Sequence, residues 1–179
     1  MDNLPFKRKN ELLINLSQLE TPLGNMFACA IEQGICLLEF TDRKLLENQF
    51  KVLAKLLNAP ILKGPNKHID ILQHQLQEYF DGNRKEFSVP LVTPGTEFQQ
   101  SVWRELQKIP YGSTLSYKQQ SLALNKPGAI RAVAHANGMN RIAIVIPCHR
   151  VIGSGGKLTG YSGGEERKRW LIEFEQVNK

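Results

Sequence analysis

The spacing of hydrophobic residues changes along the chain, from a period of two to the period of a helix. Apolar and polar residues alternate over 12–19 and 25–31, and 35–40 is a third short apolar run, so we predict three strands. Apolar residues recur at helical spacing over 44–57 and 67–80. These two segments are predicted to be amphipathic helices, which makes the first half of the chain α+β.

The second half of the chain is mainly helical in its pattern. Thr96 is the predicted N-cap of a helix whose apolar face runs over 98–109. Two short helices are predicted over 116–124 and 129–136, and an Asn-Lys-Pro-Gly turn joins them. Such a pair is typical of a helix-turn-helix that binds DNA. A last helix is predicted over 165–176.

Length and composition fit a globular chain of one domain or two small ones. The 179 residues are 41% hydrophobic and 22% charged, which is ordinary for globular proteins. Together with the patterns above, they predict an α+β fold with an N-terminal α/β domain over 1–92. A mainly helical C-terminal domain is predicted over 93–179.

The most informative chemistry lies where an apolar run ends in a cysteine. The run 142–146 predicts a strand that is covered on both faces, and Pro147 would end its ladder. Cys148 is then the first side chain presented, followed by His149 and Arg150. Neighbouring cations lower the pKa of a thiol, so Cys148 is a candidate nucleophile, expected ionised at the floor of a cleft. The alternative is a buried cysteine that only fills space.

A glycine-rich segment follows this cysteine. Six of the twelve residues over 153–164 are glycine, so the backbone there turns tightly or approaches another group closely. Glycine-rich segments are often plain flexible linkers. This one lies between a predicted strand and a predicted helix, and that frame favours a loop that wraps a small planar ligand.

Positive charge is concentrated in the segment that carries these features. Residues 106–164 contain seven Lys and Arg and no Asp or Glu, whereas residues 1–105 contain 12 basic and 13 acidic residues. The net charge of +6 therefore comes from the second half of the chain. A field of this kind suits a polyanion such as DNA, although a basic surface without a nucleic-acid partner has the same composition.

The remaining histidines and cysteines suggest no metal site. Three cysteines are an odd number, and the chain has no CxxC or HxxxH spacing, so neither a disulfide framework nor a metal or other cofactor is expected. Cys29 and Cys36 are predicted to pack inside the sheet. His68 and His74 lie on a polar helix and are expected to be solvated.

The sequence contains no pattern typical of a membrane span or a signal peptide. No stretch is long and apolar enough to span a bilayer. The first fifteen residues carry Lys7-Arg8-Lys9 but no apolar run of the signal-peptide kind. We therefore expect a cytoplasmic protein without a membrane partner.

Several short motifs in one order resemble the bacterial O6-alkylguanine-DNA alkyltransferases, the methylated-DNA–protein-cysteine methyltransferases. In chain order they are G-T-E-F-Q-Q-S-V-W over 95–103, I-P-Y-G over 109–112, L-S-Y over 115–117, R-A-V over 131–133, A-N-G-M-N over 136–140, I-P-C-H-R-V-I-G over 146–153 and G-Y-S-G-G over 160–164. The resemblance is strong over 90–175 and weaker before. It implies a ribonuclease H-like N-terminal domain and a C-terminal domain with a helix-turn-helix.

The resemblance also implies roles for individual residues. For the chemistry these are Cys148 as alkyl acceptor, His149 as the base that acts through a water, Glu175 as the carboxylate that orients it, and Tyr117 as a phenol facing the base. For the substrate they are Ser162 as donor to O6, Tyr161 as aromatic wall, Val151 as carbonyl acceptor and Asn140 as hinge. For DNA they are Arg131, inserted into the base stack, together with Ala129, Ala132, Ser116 and Arg150.

The implied function is the repair of double-stranded DNA by a monomer without a cofactor. The alkyl group of O6-alkylguanine, and less well of O4-alkylthymine, would pass irreversibly to Cys148 after the nucleotide is flipped out through the minor groove. Each molecule would act once, because nothing in the sequence looks built to remove a thioether. Ala129, Ala132 and Ala136 share one helix face, which would approach either another helix or a sugar-phosphate wall.

Three other functions remain open at this stage. A non-catalytic lesion-binding relative would lack the acceptor, and Cys148 argues against it. A DNA-binding regulator would use the cysteine as a redox sensor, and a thiol hydrolase would use Cys148, His149 and Glu175 as a triad. The chain departs from the family pattern at a few positions near the DNA helices, where it has Gln120, Ser121, Ile130, Ala134 and Arg141. Arg141 would loosen the hinge or add a phosphate contact.

Overall fold

The computed structural model describes residues 12–179 and begins with a four-stranded sheet. Its strands are β1 (Ile14–Leu19), β2 (Met26–Ile31), β3 (Gly34–Phe40) and β4 (Ile61–Lys63), in the order β3-β2-β1-β4. The first three are antiparallel and confirm the strand predictions, whereas β4 joins β1 in parallel and was not predicted. Strand β4 has only three residues, which are too few to show an alternation of apolar and polar positions in the sequence. The Lys7-Arg8-Lys9 run lies outside the described residues.

Two helices accompany this sheet, α1 (Leu46–Leu57) and α2 (Lys67–Phe80). The side chain of Asn66 caps α2 at its start. His74 is exposed as predicted, but the prediction for His68 is wrong. His68 is buried because its Nε2 lies 2.8 Å from the carbonyl oxygen of Glu32, in the turn between β2 and β3.

The second half contains four helices and a two-stranded parallel ladder. The helices are α3 (Glu97–Leu106), α4 (Tyr117–Ala123), α5 (Ile130–Gly138) and α6 (Glu165–Val177), and the ladder pairs β5 (Leu115–Ser116) with β6 (Val151–Ile152). Thr96 caps α3 and Ser116 caps α4, each in a capping box with the glutamine three residues later. Helices α4 and α5 pack against each other as a helix-turn-helix.

The predicted strand over 142–146 is wrong. The only strand-like contact there is a bridge between Ile142 and Leu38 of β3, and Ile144 has a φ of +71°, which no strand residue adopts. The rest of the segment forms tight turns, in which the backbone amide of Val145 donates to the carbonyl oxygen of Ala143 at 2.8 Å. All five residues are buried. An apolar run reports burial, and here the burial belongs to an irregular segment.

The two halves of the chain share one hydrophobic core. Its buried members include Phe40, Leu72 and Tyr79 from the first half and Trp103, Val133 and Leu171 from the second. The bridge at Leu38 also joins the halves through the backbone. The division into 1–92 and 93–179 stays a prediction. Over residues 12–179, no helix has the length and apolar character needed to cross a bilayer.

Candidate active site

The parallel ladder of β5 and β6 brings two distant segments to one place. Leu115 pairs with Val151 and Ser116 with Ile152. Helix α4 begins with Tyr117 directly after β5, and a 3₁₀ turn over Cys148–Arg150 directly precedes β6. The tyrosine and the candidate nucleophile therefore lie at the same small sheet. Val151 is fully buried there.

The Cys148 thiol receives a hydrogen bond from Asn140. The Asn140 amide nitrogen lies 3.2 Å from Sγ and 2.9 Å from the carbonyl oxygen of Ile146, while its amide oxygen accepts from the Ile142 backbone at 3.0 Å. Asn140 follows the end of α5 closely. One buried side chain thus connects the second helix of the helix-turn-helix with the segment that carries the thiol.

The Cys148 thiol is less acidic than the sequence suggested. Its residue is only 7% exposed, and burial raises the pKa of the thiol to about 11, although the Asn140 hydrogen bond and the charges of Lys168 and Arg43 act in the opposite direction. The predicted lowering of this pKa is therefore wrong. The two residues that follow Cys148 do not achieve it, because the side chains of His149 and Arg150 are both bound to a carboxylate elsewhere.

That carboxylate belongs to Glu175 on α6. His149 is fully buried, and its Nε2 lies 2.7 Å from Glu175 Oε1. Burial lowers the pKa of His149 in spite of the carboxylate, so the imidazole is neutral and donates its Nε2 proton. Its Nδ1 is buried and finds no partner among residues 12–179. The ring therefore presents a lone pair that can accept a proton.

Glu175 is bound by both halves of the chain. Its oxygens also accept from the Tyr79 hydroxyl on α2 at 2.8 Å and from the Gly112 amide at 3.2 Å. Burial alone would raise the pKa of Glu175, but the hydrogen bond from His149 and the ion pair with Arg150 hold it well below its ordinary value. The carboxylate is ionised and its position is fixed from several directions.

Arg150 is buried, which corrects the prediction that it contacts DNA. Its Nε and Nη2 donate to Glu175 at 2.8 and 3.0 Å, and its Nη1 donates to the carbonyl of Ile109 at 2.7 Å. The side chain is buried, since a guanidinium that pairs with a buried carboxylate must follow it inside. Arg150 is thus a structural partner of the carboxylate.

Two tyrosines and the glycine-rich segment lie close to the thiol. The Tyr117 hydroxyl donates to the carbonyl of Thr159 at 3.0 Å, and the buried Tyr161 hydroxyl has no partner among the described residues. Burial and the neighbouring Cys148 raise the pKa of both phenols, so both keep their protons at neutral pH. A Cβ on Gly160 would stand 2.8 Å from the Tyr117 hydroxyl, which explains the need for glycine at this approach.

A cleft of about 540 Å³ opens beside these groups. Tyr161 and Ser162 line one side of it, and residues 42–45 of the first half line the other. Cys148 is not among the lining residues, so the expectation that its thiol is open on the cleft floor is not met. The thiol is buried near Tyr161, which does line the cleft.

The helix-turn-helix presents a mixed face. Arg131 and Ala132 are exposed and Ala129 is half-buried, whereas Ala136 is buried against Trp103. The three alanines therefore do not form one free surface. Arg141 is also buried, where it donates to Gln49 at 3.1 Å and to the carbonyl of Pro94 at 2.6 Å, so the suggested phosphate contact is wrong.

Sequence reasoning missed several residues around the thiol. Lys168 of α6 is buried, donates to the carbonyl of Thr159 at 3.0 Å, and has its pKa lowered to about 8 by burial. Arg43 and Glu39 form a buried ion pair that reaches the site from the first half. An exposed-looking lysine on a charged helix carries no local signal of burial. Over residues 12–179, no three His, Cys, Asp or Glu side chains lie close enough to hold a metal ion.

Two family models match the chain. Residues 15–93 match the ribonuclease-like domain of 6-O-methylguanine DNA methyltransferase, and residues 97–177 match the DNA binding domain of the same family. Methylated-DNA–protein-cysteine methyltransferases from Methanosarcina barkeri and from Bacillus subtilis (the constitutive protein) are each 41% identical to it. The first match covers 89% of this chain and 96% of its relative, and the second 89% and 93%.

Solved structures agree with this relationship. The crystal structure of Mycobacterium tuberculosis O6-methylguanine methyltransferase superposes with a TM-score of 0.78 at 37% identity, over 94% of this chain and 95% of that one. A complex of the Mycobacterium tuberculosis protein with DNA gives 0.78 at 38% identity, over 92% and 94%. The fold and these matches thus define a methyltransferase that acts on methylated DNA. The chain belongs to the methylated-DNA–protein-cysteine methyltransferase family, which confirms the resemblance and the α+β fold.

Proposed function

We propose that this protein repairs double-stranded DNA by moving the alkyl group of O6-alkylguanine, and less well of O4-alkylthymine, onto Cys148. The observation that carries the proposal is the buried chain of contacts around one sulfur. Asn140 donates to the thiol, and the neighbouring His149 presents a free Nδ1 while Glu175 holds its other nitrogen. Family membership and the relatives' names support the same chemistry.

In the proposed reaction the thiol proton passes to His149 Nδ1 through a water. The sulfur then attacks the alkyl carbon from the side opposite O6 and forms the S–C bond. The C–O6 bond breaks at the same time, and the electron pair of that bond goes to the guanine oxygen. Glu175 stabilises the imidazolium, because an ionised carboxylate 2.7 Å away favours the charged ring. This proton relay is needed because a thiol with a pKa of about 11 is mostly protonated at neutral pH.

The leaving guanine is stabilised by neutral donors. Tyr117 keeps its phenolic proton and lies near the sulfur, and Ser162 lines the adjoining cleft. Donors placed where negative charge develops are an effective form of catalysis. Tyr161 supplies the apolar wall, the Val151 carbonyl accepts from the exocyclic amine, and Asn140 holds the hinge. Entry of the base requires the 153–164 segment to move, since Cys148 is buried and does not line the cleft.

Helix α5 makes the proposed contact with DNA. Arg131 and Ala132 are exposed near its start, so the arginine fills the space of the flipped nucleotide while the small residues, with Ala129, permit a close approach to the minor groove. Ser116 donates its hydroxyl proton to a phosphate while its oxygen caps α4. The protein acts as a cytoplasmic monomer, without a cofactor, and once per molecule because a thioether is a poor leaving group.

The deciding experiment is to incubate the protein with a duplex that contains one O6-methylguanine and to map the product by mass. The tryptic peptide 142–150 separates Cys148 from Cys29 and Cys36, because cleavage occurs after Arg43 and Arg141. We expect one methyl group on peptide 142–150 and never more than one per protein. A methyl on another cysteine would refute the acceptor assignment, and repeated turnover would refute the single-use mechanism.

A further inference from the structure

Three consecutive residues in the last turn of α5 are each held by a different part of the molecule. The Trp103 indole nitrogen, on α3, donates to the carbonyl of Ala136 at 2.9 Å. The side chain of Asn137 exchanges two hydrogen bonds with Gln120 on α4, and Arg43 donates to the carbonyl of Gly138 at 2.8 Å. We call Trp103, the Gln120–Asn137 pair and Arg43 the α5 anchor.

The opposite end of α5 packs on the core through Val133 but has no comparable side-chain hydrogen bonds among the described residues. Its N-cap residue, Ala129, has no side chain able to cap the helix, and Ile130, Arg131 and Ala132 are exposed. The side-chain hydrogen bonds to α5 are therefore concentrated in its last turn. These hydrogen bonds fix the angle of the helix axis, and with it the direction in which the exposed Arg131 end points.

The Gln120–Asn137 pair is the most specific part of this anchor. Gln120 is 0% exposed and Asn137 is 3% exposed, and their amides face each other with one hydrogen bond of 3.1 Å and one of 2.6 Å. Two antiparallel hydrogen bonds between side-chain amides in a dry helix interface tolerate little sliding or rotation, because either motion breaks both. An apolar pair at the same positions would fill the space without fixing the angle.

The same turn of backbone continues to the thiol. The Asn137 carbonyl accepts from the Asn140 amide at 3.2 Å, and the Asn140 side chain donates to Cys148 Sγ. Arg43 also reaches the Asn140 carbonyl, at 3.4 Å, and is itself paired with the fully buried Glu39. The anchor therefore sets the position of the DNA-facing helix relative to the alkyl acceptor, and both halves of the chain contribute to it.

We propose that Gln120 and Arg43 are positioning residues for repair in duplex DNA: they fix the angle of α5 so that the flipped base meets the thiol. The inference rests on the proposed extrusion of the nucleotide by α5. Gln120 bonds to Asn137 and does not line the cleft, whereas Arg43 lines the cleft beside Tyr161. Both are expected to matter when α5 has to enter a duplex, and Gln120 is expected to matter little when a free alkylated base diffuses to the thiol.

The test compares two substrates in single-turnover reactions, an O6-methylguanine duplex and free O6-benzylguanine. Gln120→Leu and Asn137→Leu should each slow duplex repair about tenfold, because each leaves a buried amide unpaired, and should change the free-base reaction by less than about twofold. Arg43→Lys, which keeps the charge beside Glu39, should reduce the duplex rate about threefold. The double variant Gln120→Leu/Asn137→Leu removes both amides.

The double variant separates positioning from stability. Replacing both partners of a buried hydrogen bond is often nearly neutral for stability, so we expect its thermal unfolding to return towards that of the parent while duplex repair stays slow. Recovery of duplex repair in the double variant would overturn the proposal, since packing alone would then suffice. Equal losses on both substrates in the single variants would overturn it as well.

Two further variants serve as controls. Gln75→Leu removes a buried glutamine that bonds to Ser88 in the first half, so it should destabilise the fold without changing the ratio of the two rates. A shift in its ratio as large as that of Gln120→Leu would overturn the anchor. Arg131→Ala tests extrusion itself. The ratio of the duplex rate to the free-base rate should fall in Arg131→Ala. If this ratio is unchanged in Arg131→Ala but falls in Gln120→Leu, the proposed role of Arg131 in extrusion is refuted and the role of the α5 anchor is supported.

Discussion

The three cysteines of this chain are all buried, yet their surroundings differ. Cys29 on β2 and Cys36 on β3 pack among apolar residues of the sheet, as predicted, and burial raises the pKa of Cys36 to about 12 and that of Cys29 further. Cys148 is also buried but has a pKa of about 11, because Asn140 donates to its sulfur and Lys168 and Arg43 lie near. Burial therefore does not distinguish a nucleophile from a packing residue. The polar groups around the sulfur do.

The sharpest test of this contrast exchanges the thiols one at a time. Cys148→Ser should abolish methyl transfer while the fold remains intact. Cys36→Ala should retain transfer at the parental rate and lower the free energy of unfolding by about 1 kcal/mol, the cost of a small cavity. Radiolabel transfer and thermal unfolding measure the two effects. Loss of transfer in Cys36→Ala with a folded protein would remove the distinction.

The next largest effect concerns Glu175, which has no counterpart near the sheet cysteines. Glu175→Gln should slow repair roughly 10² to 10⁴-fold, because His149 loses the carboxylate that stabilises its charged form. It should also destabilise the fold by about 3–5 kcal/mol, since Arg150 is left buried without its partner. Glu173→Gln, an exposed position on the same helix, is the matched control and should change neither quantity. Single-turnover repair and denaturant unfolding test both.

Stability should depend on acid through the same carboxylate. The pKa of Glu175 is lower in the folded chain than its ordinary value of 4.5. The ionised carboxylate therefore contributes its full stabilisation of the folded state above about pH 4.5, and this contribution is lost as the pH falls below that value. The parent should therefore lose stability below about pH 4.5 more steeply than Glu175→Gln. Parallel acid-unfolding curves for the two proteins would contradict this assignment.

Removing Asn140 should make Cys148 resemble a sheet cysteine. Asn140→Ala deletes the hydrogen bond to sulfur, so the thiol pKa should rise and iodoacetamide labelling of peptide 142–150 at pH 8 should fall by about tenfold. Asn66→Ala, a cap on α2, is the control for general loosening. Unchanged labelling in Asn140→Ala would show that the sulfur does not depend on this donor.

The smallest effect is the difference between intact thiols. Below its pKa a thiol gains about tenfold in thiolate per pH unit, so labelling of Cys148 should rise steeply between pH 7 and 9. Burial raises the pKa of Cys148 less than that of Cys36, and Cys148 is slightly more exposed, so Cys148 should label faster than Cys36 throughout this range. Fragment-ion mass spectrometry measures the ratio, because Cys36 shares the tryptic peptide 10–43 with Cys29. A ratio near one would make the surroundings of Cys148 irrelevant to its acidity.

Local patterns predicted the helices and the first strands well, because these elements obey a periodicity that is written into a short window of sequence. The helix over 67–80 has the predicted bounds, and Thr96 caps its helix as expected. The segment 142–146 failed because an apolar run does not specify a backbone conformation. Arg150 failed because nothing near it in sequence shows that a carboxylate 25 residues away takes its guanidinium inside.

By itself the sequence determined the family, the α+β class and the identity of the acceptor candidate, since short motifs and hydrophobic periods are local properties of the chain. Only the tertiary structure decided that the thiol is protonated at rest, that Glu175 is bound from both halves, and that Gln120 and Asn137 pair across two helices. Those properties depend on loss of solvent and on distances between residues far apart in the chain. Neither quantity exists until the chain has folded.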